Sequence, residues 1–164
     1  KPPFGFPGSR KKRRSPIPVV LIRAIFREAK PAMKKITFVC RRNSCRSQMA
    51  EGWAKHLGAD KVIVHSSGLE ASRVHPGAIA TMAEVGLDLT PQTSNALAEF
   101  NPEDYDAVIS LCGCGVNLPA AWVTRPLFED WQIQDPDGQP PEIFRNVRDE
   151  IQGQVNQLLK KLTS

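Results

Sequence analysis

The segment of this chain best suited to chemistry is a short loop that starts at a cysteine. Residues 40–47 read CRRNSCRS, so five residues separate Cys40 from Arg46, and Ser47 follows directly. A backbone loop of this length can curl into a concave nest of N–H groups, and an arginine can reach across it. Such a nest binds a tetrahedral oxyanion and also stabilises a thiolate. We predict that Cys40 is a nucleophile, the alternative being a small buried residue at a strand end.

A second pair of cysteines lies in a glycine-rich turn. Cys112 and Cys114 belong to the sequence CGCG, which follows an apolar run. Glycines allow such a loop to move, so that its thiols can meet another thiol. The alternative is that Cys112 packs at a strand end and Cys114 is a chance neighbour.

The elements that must position these cysteines alternate between strand and helix from residue 34 onward. The predicted strands are 36–40, 61–65, 107–112 and 124–128. The predicted helices are one that ends at Gly58, one from Pro76 to Gly86, and a long one after Pro141. This alternation predicts an α/β fold with a small four-stranded parallel sheet flanked by helices on both faces. Both cysteine pairs then lie at the carboxyl edge of that sheet.

The long final helix has an apolar stripe with one weak point. Its predicted buried residues are Phe144, Val147, Ile151, Val155, Leu158 and Leu162. Their spacing follows the helical period. Gly153 interrupts the helix and lowers its intrinsic stability.

The positive charge of the chain is concentrated at its start. The 164 residues include 22 Lys+Arg and 17 Asp+Glu, a net charge of +5. Residues 1–32 contain nine basic residues and one acid, so residues 33–164 have a net charge of −3. A mildly acidic domain is poorly suited to bind nucleic acid or an acidic membrane surface. Near Cys40 the charge is local, and Arg41, Arg42 and Arg46 predict an anion site about one small oxyanion wide.

We predict two regions, an N-terminal extension over 1–32 and one domain over 33–164. The extension has six prolines and the basic run RKKRR at 10–14, a composition typical of disorder. Three origins stay open for it: residues upstream of a working start at Met33, an organelle transit segment, or a genuine tail. The domain has no apolar run long enough to span a membrane, which predicts a cytoplasmic protein, or an imported one if 1–32 is a transit segment.

The segment VCRRNSCRSQMAEGWA resembles the active-site loop of the low-molecular-weight protein tyrosine phosphatase superfamily, and in particular its arsenate reductase branch. The resemblance continues through SSGLEASRVHPGAI, DAVISLCGCGVNLP and FEDWQIQDP and covers residues 34–160. It implies that Cys40 is the nucleophile, that Arg46 holds the oxyanion, and that Asp135, in a D-P pair, donates a proton. The other residues implied in oxyanion binding are Arg42, Asn43, Ser44, Cys45 and Ser47. Taken alone, Asp135 before a proline is also typical of an ordinary turn.

Two features favour a reductase over a phosphatase of the same fold. Tyrosine phosphatases of this fold look to have aromatic residues directly after the D-P pair, where they flank a phenyl ring. This chain has Asp137 and Gly138 at those positions. Hydrolysis also needs no second thiol, whereas Cys112 and Cys114 match the loop that carries the resolving cysteines in arsenate reductases. Their close spacing resembles the glutathione- and glutaredoxin-linked variant more than the thioredoxin-linked one. The thioredoxin-linked branch looks to have a glycine directly before the loop asparagine, where this chain has Arg42. A non-glycine residue disfavours a positive φ at that position.

The resemblance implies a thiol cascade. Arsenate binds as a phosphate mimic, Cys40 attacks arsenic, and Asp135 protonates the departing oxygen. Cys112 then attacks Cys40 and releases arsenite, after which Cys114 or an external thiol regenerates the enzyme. Cys45 either pairs with Cys40 under oxidation or packs at the helix start.

Three other interpretations stay open: a phosphatase acting on phosphate monoesters, a zinc module using all four cysteines, and a polyanion binder using residues 10–14. The spacings C-x4-C and C-x-C are unusual for zinc, and arginines beside Cys40 would repel a cation. We expect no bound cofactor or metal, a monomer, and glutaredoxin or thioredoxin as protein partner. We predict structural rather than catalytic roles for the three histidines, His56, His65 and His75.

Overall fold

The computed structural model describes residues 3–5, 32–113 and 115–164. Met33–Ser164 forms one compact unit, and Lys1–Ala32 is a separate unit of which only residues 3–5 and 32 are described. The disorder predicted for the extension therefore falls almost wholly outside the described residues, as does Cys114.

Four strands and four helices form the compact unit. The strands are β1 (Lys34–Cys40), β2 (Val62–Gly68), β3 (Ala107–Ser110) and β4 (Leu127–Asp130). The helices are α1 (Arg46–Gly58), α2 (Pro76–Ala83), α3 (Ala120–Val123) and α4 (Pro141–Thr163). Short 3-10 turns lie at Leu97–Glu99, Pro102–Asp104 and Gly115–Asn117.

The sheet is parallel throughout, in the order β2-β1-β3-β4. This confirms the predicted four-stranded parallel sheet. β1 is central and pairs with β2 on one side and β3 on the other, with Cys40 opposite Gly68 at its end. The carboxyl ends of β1 and β3 therefore lie at the same edge, as parallel pairing requires.

All four strands differ in their bounds from the prediction: β1 begins at Lys34 rather than at residue 36, and β2 covers Val62–Gly68 rather than 61–65. β3 ends at Ser110 rather than at residue 112, so that Cys112 lies in the bend after the strand. β4 begins at Leu127, because the preceding Pro126 has no N–H to donate to the ladder. Arg125 instead donates from Nε to the carbonyl of Tyr105 at 3.0 Å.

Alternation along the strands buries both faces of the sheet. Phe38 and Ile109 belong to the larger apolar cluster, which α1, α2 and α4 cover. Their neighbours Val39 and Val108 belong to a smaller cluster that includes Trp122 of α3. Helices on both faces are thus confirmed, although the second face is covered mainly by short elements and turns.

The apolar stripe of α4 packs largely as predicted. Phe144, Val147, Ile151, Val155 and Leu158 are buried, as are Arg148 and Leu159. Leu162, predicted to be buried, is only partly so. The difference lies at the last turn of the helix, where less of the core remains to cover a side chain.

Gly153→Ala should stabilise the protein. Gly153 is exposed in the interior of α4, and a Cβ built there meets nothing within 4 Å. The added methyl group restricts the unfolded chain and raises helix propensity, so we expect a gain of roughly 0.5–1 kcal/mol in the free energy of unfolding. Chemical denaturation of the two proteins measures it.

Gly52→Ala is the matched control, because Gly52 is also in a helix interior but is crowded. A Cβ there would lie 2.7 Å from Cδ2 of the buried Leu89. This variant should lose stability, and equal gains at the two positions would contradict the packing described here.

Candidate active site

The predicted nucleophile lies at the end of the central strand. Cys40 is the last residue of β1 and is 3% exposed, and Arg46 is the first residue of α1. Residues 41–45 form the loop between them. The chain after β2 fastens this loop, since the N–H groups of Leu69 and Glu70 donate to the carbonyls of Cys40 and Arg41.

Gly68 lets the two segments approach this closely. A Cβ at Gly68 would lie 2.5 Å from the backbone nitrogen of Asn43 and 2.8 Å from the carbonyl carbon of Arg42. Neither atom can move without shifting the loop. Only glycine therefore fits at the end of β2 beside the loop.

Asn43 has the left-handed backbone conformation that tightens the loop. Its φ is +46°, and it is the one non-glycine residue with positive φ among the described residues. The positive φ discussed for Arg42 is therefore absent there and lies one residue later. Asparagine tolerates this conformation better than most residues. The arginine at position 42 is thus compatible with a tight loop.

The Asn43 side chain connects the loop to Cys40 through Ser47. It is fully buried, and its Nδ2 donates to Ser47 Oγ at 2.9 Å and to Ser66 Oγ at 2.8 Å. Its Oδ1 accepts from the backbone N–H of Asn95 at 2.8 Å. The predicted oxyanion-binding residue Asn43 thus lies behind the loop, where it holds the loop in place.

Ser47 makes a polar contact with Cys40, the predicted nucleophile. Its Oγ lies 2.9 Å from Cys40 Sγ. Because Ser47 Oγ accepts from Asn43, its own proton is available to a thiolate at Cys40. Ser44, the other serine predicted to bind the oxyanion, lines the pocket beside Cys40, and its hydroxyl makes no contact with Cys40 among the described residues.

A buried carboxylate completes this network behind the loop. Ser66 Oγ donates to Glu51, which is 7% exposed, and Lys55 forms an ion pair with the same carboxylate. A chain of polar contacts therefore runs from Lys55 through Glu51, Ser66 and Asn43 to Ser47 and Cys40. The ammonium of Lys55 offsets the cost of burying the carboxylate.

Protein groups fix the orientation of Arg46. Its Nη1 donates to the carbonyls of Leu111 and Ile133, at 3.3 and 2.9 Å, and its Nη2 donates to Asp135 Oδ2 at 2.9 Å. A guanidinium has five N–H donors. The Nε–H and one Nη2 hydrogen therefore have no partner among the described residues. They are available to an anion.

Cys40 and Arg46 open onto one polar cavity of about 460 Å³, which we call the anion pocket. Its lining residues are Cys40, Arg41, Arg42, Ser44, Cys45, Arg46, Ser72, Arg73, His75, Asp135 and Asp137. It is larger than the predicted site of about one small oxyanion. The extra room comes from residues 72–75, which follow β2, and from Asp137.

Cys112 lines a second cavity of about 540 Å³ together with Leu69, Glu70, Gly113 and Asn117. Arg41, Arg46 and Asp135 line both cavities, so that the two share a wall. The structure thus brings the predicted residues Cys40, Cys112 and Asp135 to one edge of the sheet. Cys40 and Cys45 are free thiols, whereas Cys112 is disulfide-bonded.

Cys45 is a protonated thiol at neutral pH. Its burial raises its pKa far above the usual range, and the nearby carboxylate of Asp135 and the Cys40 side chain raise it further. Arg46 opposes this shift without cancelling it. A thiol attacks a disulfide or an arsenic atom only as a thiolate. Cys45 is therefore a poor attacking group, although its side chain lines the anion pocket.

His75, assigned no functional role from the sequence, lines the anion pocket. Its Nδ1 accepts from the N–H of Gly77 at 2.9 Å and so caps α2, which leaves Nε2 to donate to Asp137 Oδ1 at 3.1 Å. The N–H of Asp137 donates to Asp135 Oδ1 at 3.2 Å. His75 thus supports the segment that carries Asp135. The sequence signal was the His-Pro pair that opens a helix.

The other two histidines do not line the anion pocket. His56 lies near the end of α1 against Trp53. His65 Nδ1 is 2.9 Å from Tyr105 Oη, and burial lowers the pKa of His65. Both positions agree with the structural roles predicted for them.

Within residues 3–5, 32–113 and 115–164, no group of three or more His, Cys, Asp or Glu side chains is arranged to hold a metal ion. None of the helices formed by these residues is long and apolar enough to cross a membrane.

Asn43→Ala should destabilise the protein and lower its activity. Alanine adopts a positive φ at a cost, and the substitution removes the partners of Ser47, Ser66 and the Asn95 N–H. We expect a loss of about 2–4 kcal/mol in the free energy of unfolding, measured by chemical denaturation.

Asn43→Gly separates the two causes. Glycine accepts the positive φ but makes none of the side-chain hydrogen bonds, so it should recover only a part of the loss, about 1 kcal/mol. Wild-type stability in both variants would contradict the role given to Asn43.

The comparisons with known proteins agree with this geometry. Residues 35–164 match the family described as low molecular weight phosphotyrosine protein phosphatase. The chain is 63% identical to a glutaredoxin arsenate reductase of Synechocystis sp., over 80% of this chain and 100% of that protein. It is 44% identical to an arsenate reductase of Staphylococcus aureus, over 72% of this chain and 90% of that protein.

A solved structure of an arsenate reductase in its phosphate-binding state is also similar. It superimposes with a TM-score of 0.76 at 63% identity, over 79% of this chain and 99% of that one. The resemblance inferred from the loop sequence is therefore confirmed, and the chain belongs to the low molecular weight phosphotyrosine protein phosphatase family.

Proposed function

We propose that this chain reduces arsenate to arsenite and is regenerated by glutathione and glutaredoxin. The observation that carries the proposal is the shared wall between the anion pocket of Cys40 and the cavity of Cys112. Oxyanion reduction by thiols needs two sulfur atoms at one site. The similarity to a glutaredoxin arsenate reductase over its full length supports the same function.

The anion pocket is suited to bind a tetrahedral oxyanion over Cys40. The free Nε–H and Nη2 hydrogen of Arg46 supply charge-assisted donors, and the loop adds backbone N–H groups. Arg41 and Arg42 line the same pocket and add positive charge. Arsenate and phosphate have the same shape and charge, so both should bind here.

In the first step the Cys40 thiolate attacks arsenic and forms an S–As bond. Arsenate loses one oxygen as water, which requires a proton donor beside the leaving oxygen. Asp135 lines the pocket and shares Arg46 with the substrate. Asp135 Oδ2 accepts one hydrogen of the Nη2 group and the oxyanion takes the other, so that Arg46 brings the carboxyl group of Asp135 next to the bound anion, where it can deliver that proton.

In the second step the Cys112 thiolate attacks Cys40 Sγ. The S–S bond forms as the S–As bond breaks, and its electron pair stays on arsenic, which leaves as arsenite. Two thiols are oxidised and arsenic gains two electrons.

Since Cys112 is disulfide-bonded in this structure, a reductant must first release it as a thiol. Cys114 then attacks Cys112, which expels Cys40 as a thiolate and forms a Cys112–Cys114 disulfide, and glutathione with glutaredoxin reduces that disulfide. A reducing, cytoplasmic compartment supplies that reductant.

The anion pocket argues against a tyrosine phosphatase. Its eleven described lining residues include no Phe, Tyr or Trp that would flank a phenyl ring. Asp137 and Gly138 follow the Asp135-Pro136 pair where such residues would be expected. Weak hydrolysis of small phosphate esters remains compatible with a Cys40 nucleophile.

Arsenate-dependent NADPH oxidation tests the proposal. The purified chain is assayed with glutathione, glutaredoxin and glutathione reductase, and separately with thioredoxin and thioredoxin reductase. We expect turnover to be at least about tenfold faster with the glutaredoxin system, and much slower hydrolysis of para-nitrophenyl phosphate.

Cys112→Ser and Cys45→Ser form a matched pair of variants for this assay. Loss of Cys112 should reduce turnover by about 100-fold or more, because the S–As intermediate cannot be resolved, whereas loss of the protonated Cys45 thiol should change it less than about threefold. Undiminished turnover in Cys112→Ser would rule out the cascade.

A further inference from the structure

We propose that Arg41, Arg42 and Arg73 form a binding site for the carboxylates of glutathione within the anion pocket. The inference rests on the proposed function, in which glutathione is the reductant. It goes further by assigning a site on this chain to the reductant itself, beside Arg46 and the loop N–H groups, which are the direct donors to the oxyanion.

The first observation concerns the position of the arginines whose side chains have no hydrogen-bond partner among the described residues. The described residues include seven arginines, and the side chains of four of them, Arg46, Arg125, Arg145 and Arg148, have hydrogen-bond partners in the protein. Within the described part of the chain, the other three, Arg41, Arg42 and Arg73, are exposed and have none. All three line the anion pocket. Unpartnered guanidinium groups gathered at one cavity indicate an anionic ligand.

The second observation is the size of the pocket. Arsenate has five heavy atoms, and Arg46 with the loop N–H groups is sufficient to hold it. A cavity of about 460 Å³ is instead in the range that holds whole small-molecule ligands. Glutathione, a tripeptide with twenty heavy atoms, suits the remaining space.

The third observation is the distribution of charge. Four guanidinium groups and two carboxylates line the pocket, so that positive charge is in excess. Asp135 already pairs with Arg46, and Asp137 with His75. Glutathione has two carboxylates and one ammonium, which match a wall with several cations and an exposed carboxylate such as that of Asp137.

The position of Arg41 connects this site to the redox chemistry. Arg41 lines both the anion pocket and the cavity of Cys112. A glutathione held there can direct its thiolate at the disulfide that contains Cys112. Attack forms a mixed disulfide with one sulfur and expels the other as a thiolate. A second thiol, from glutathione or glutaredoxin, then removes the glutathionyl group, so that no other oxidant or reductant is needed.

Binding of S-methylglutathione, followed by calorimetry, tests the site without any turnover. This probe keeps both carboxylates but cannot react. We expect Arg41→Gln and Arg73→Gln each to weaken its binding about tenfold, because each removes a charge-assisted contact. Arg145→Gln is the control, since Arg145 pairs with Glu84 and does not line the pocket. Its affinity should equal that of the wild type.

Two further measurements make the test decisive. The dimethyl ester of the probe should bind about tenfold or more weakly to the wild type, and saturating phosphate should leave binding of the parent probe in place. Absence of binding, equal affinity for the ester, or displacement by phosphate would each overturn the proposal. The amount of arsenite released by the reduced enzyme in one turnover without glutathione reports separately on the proposed function.

Discussion

The hydrogen bonds of one buried amide, that of Asn43, hold the loop between Cys40 and Arg46 in shape. Its backbone takes the left-handed conformation that turns the loop, while its side chain reaches both Ser47 and Ser66. Because both hydroxyls accept from Asn43, their protons point onward, to Cys40 on one side and Glu51 on the other. The loop that surrounds Cys40 is therefore fastened from behind, and its front stays open to an anion.

Arg46 extends this arrangement across the edge of the sheet. Its guanidinium contacts carbonyls that follow β3 and β4 and the carboxylate of Asp135. A single side chain on α1 thus holds the loop, the segment before Cys112 and the segment of Asp135 at fixed separations. This is why residues that are nearly 100 positions apart in the sequence line one pocket.

Local patterns were enough to predict the four strands, their parallel sheet and the placement of Cys40 and Arg46 at the two ends of one loop. Strand periodicity and loop spacing are short-range properties of a sequence. Contacts between distant segments could not be predicted in this way. Ser66 and Glu51 received no role from the sequence, and His75 received only a structural one. Their roles depend on the approach of β2 to the loop, which Gly68 permits and which no local pattern encodes.

The proposed cascade depends on one step, in which Cys112 resolves the intermediate on Cys40. Its most direct test is mass spectrometry of the reduced Cys114→Ser variant after one equivalent of arsenate, with no external thiol and with free thiols then blocked by alkylation. We predict a peptide pair joined by a Cys40–Cys112 disulfide, formed in proportion to the arsenite released. Arsenite release with Cys40 joined to Cys45, or with no disulfide to Cys112, would contradict the account.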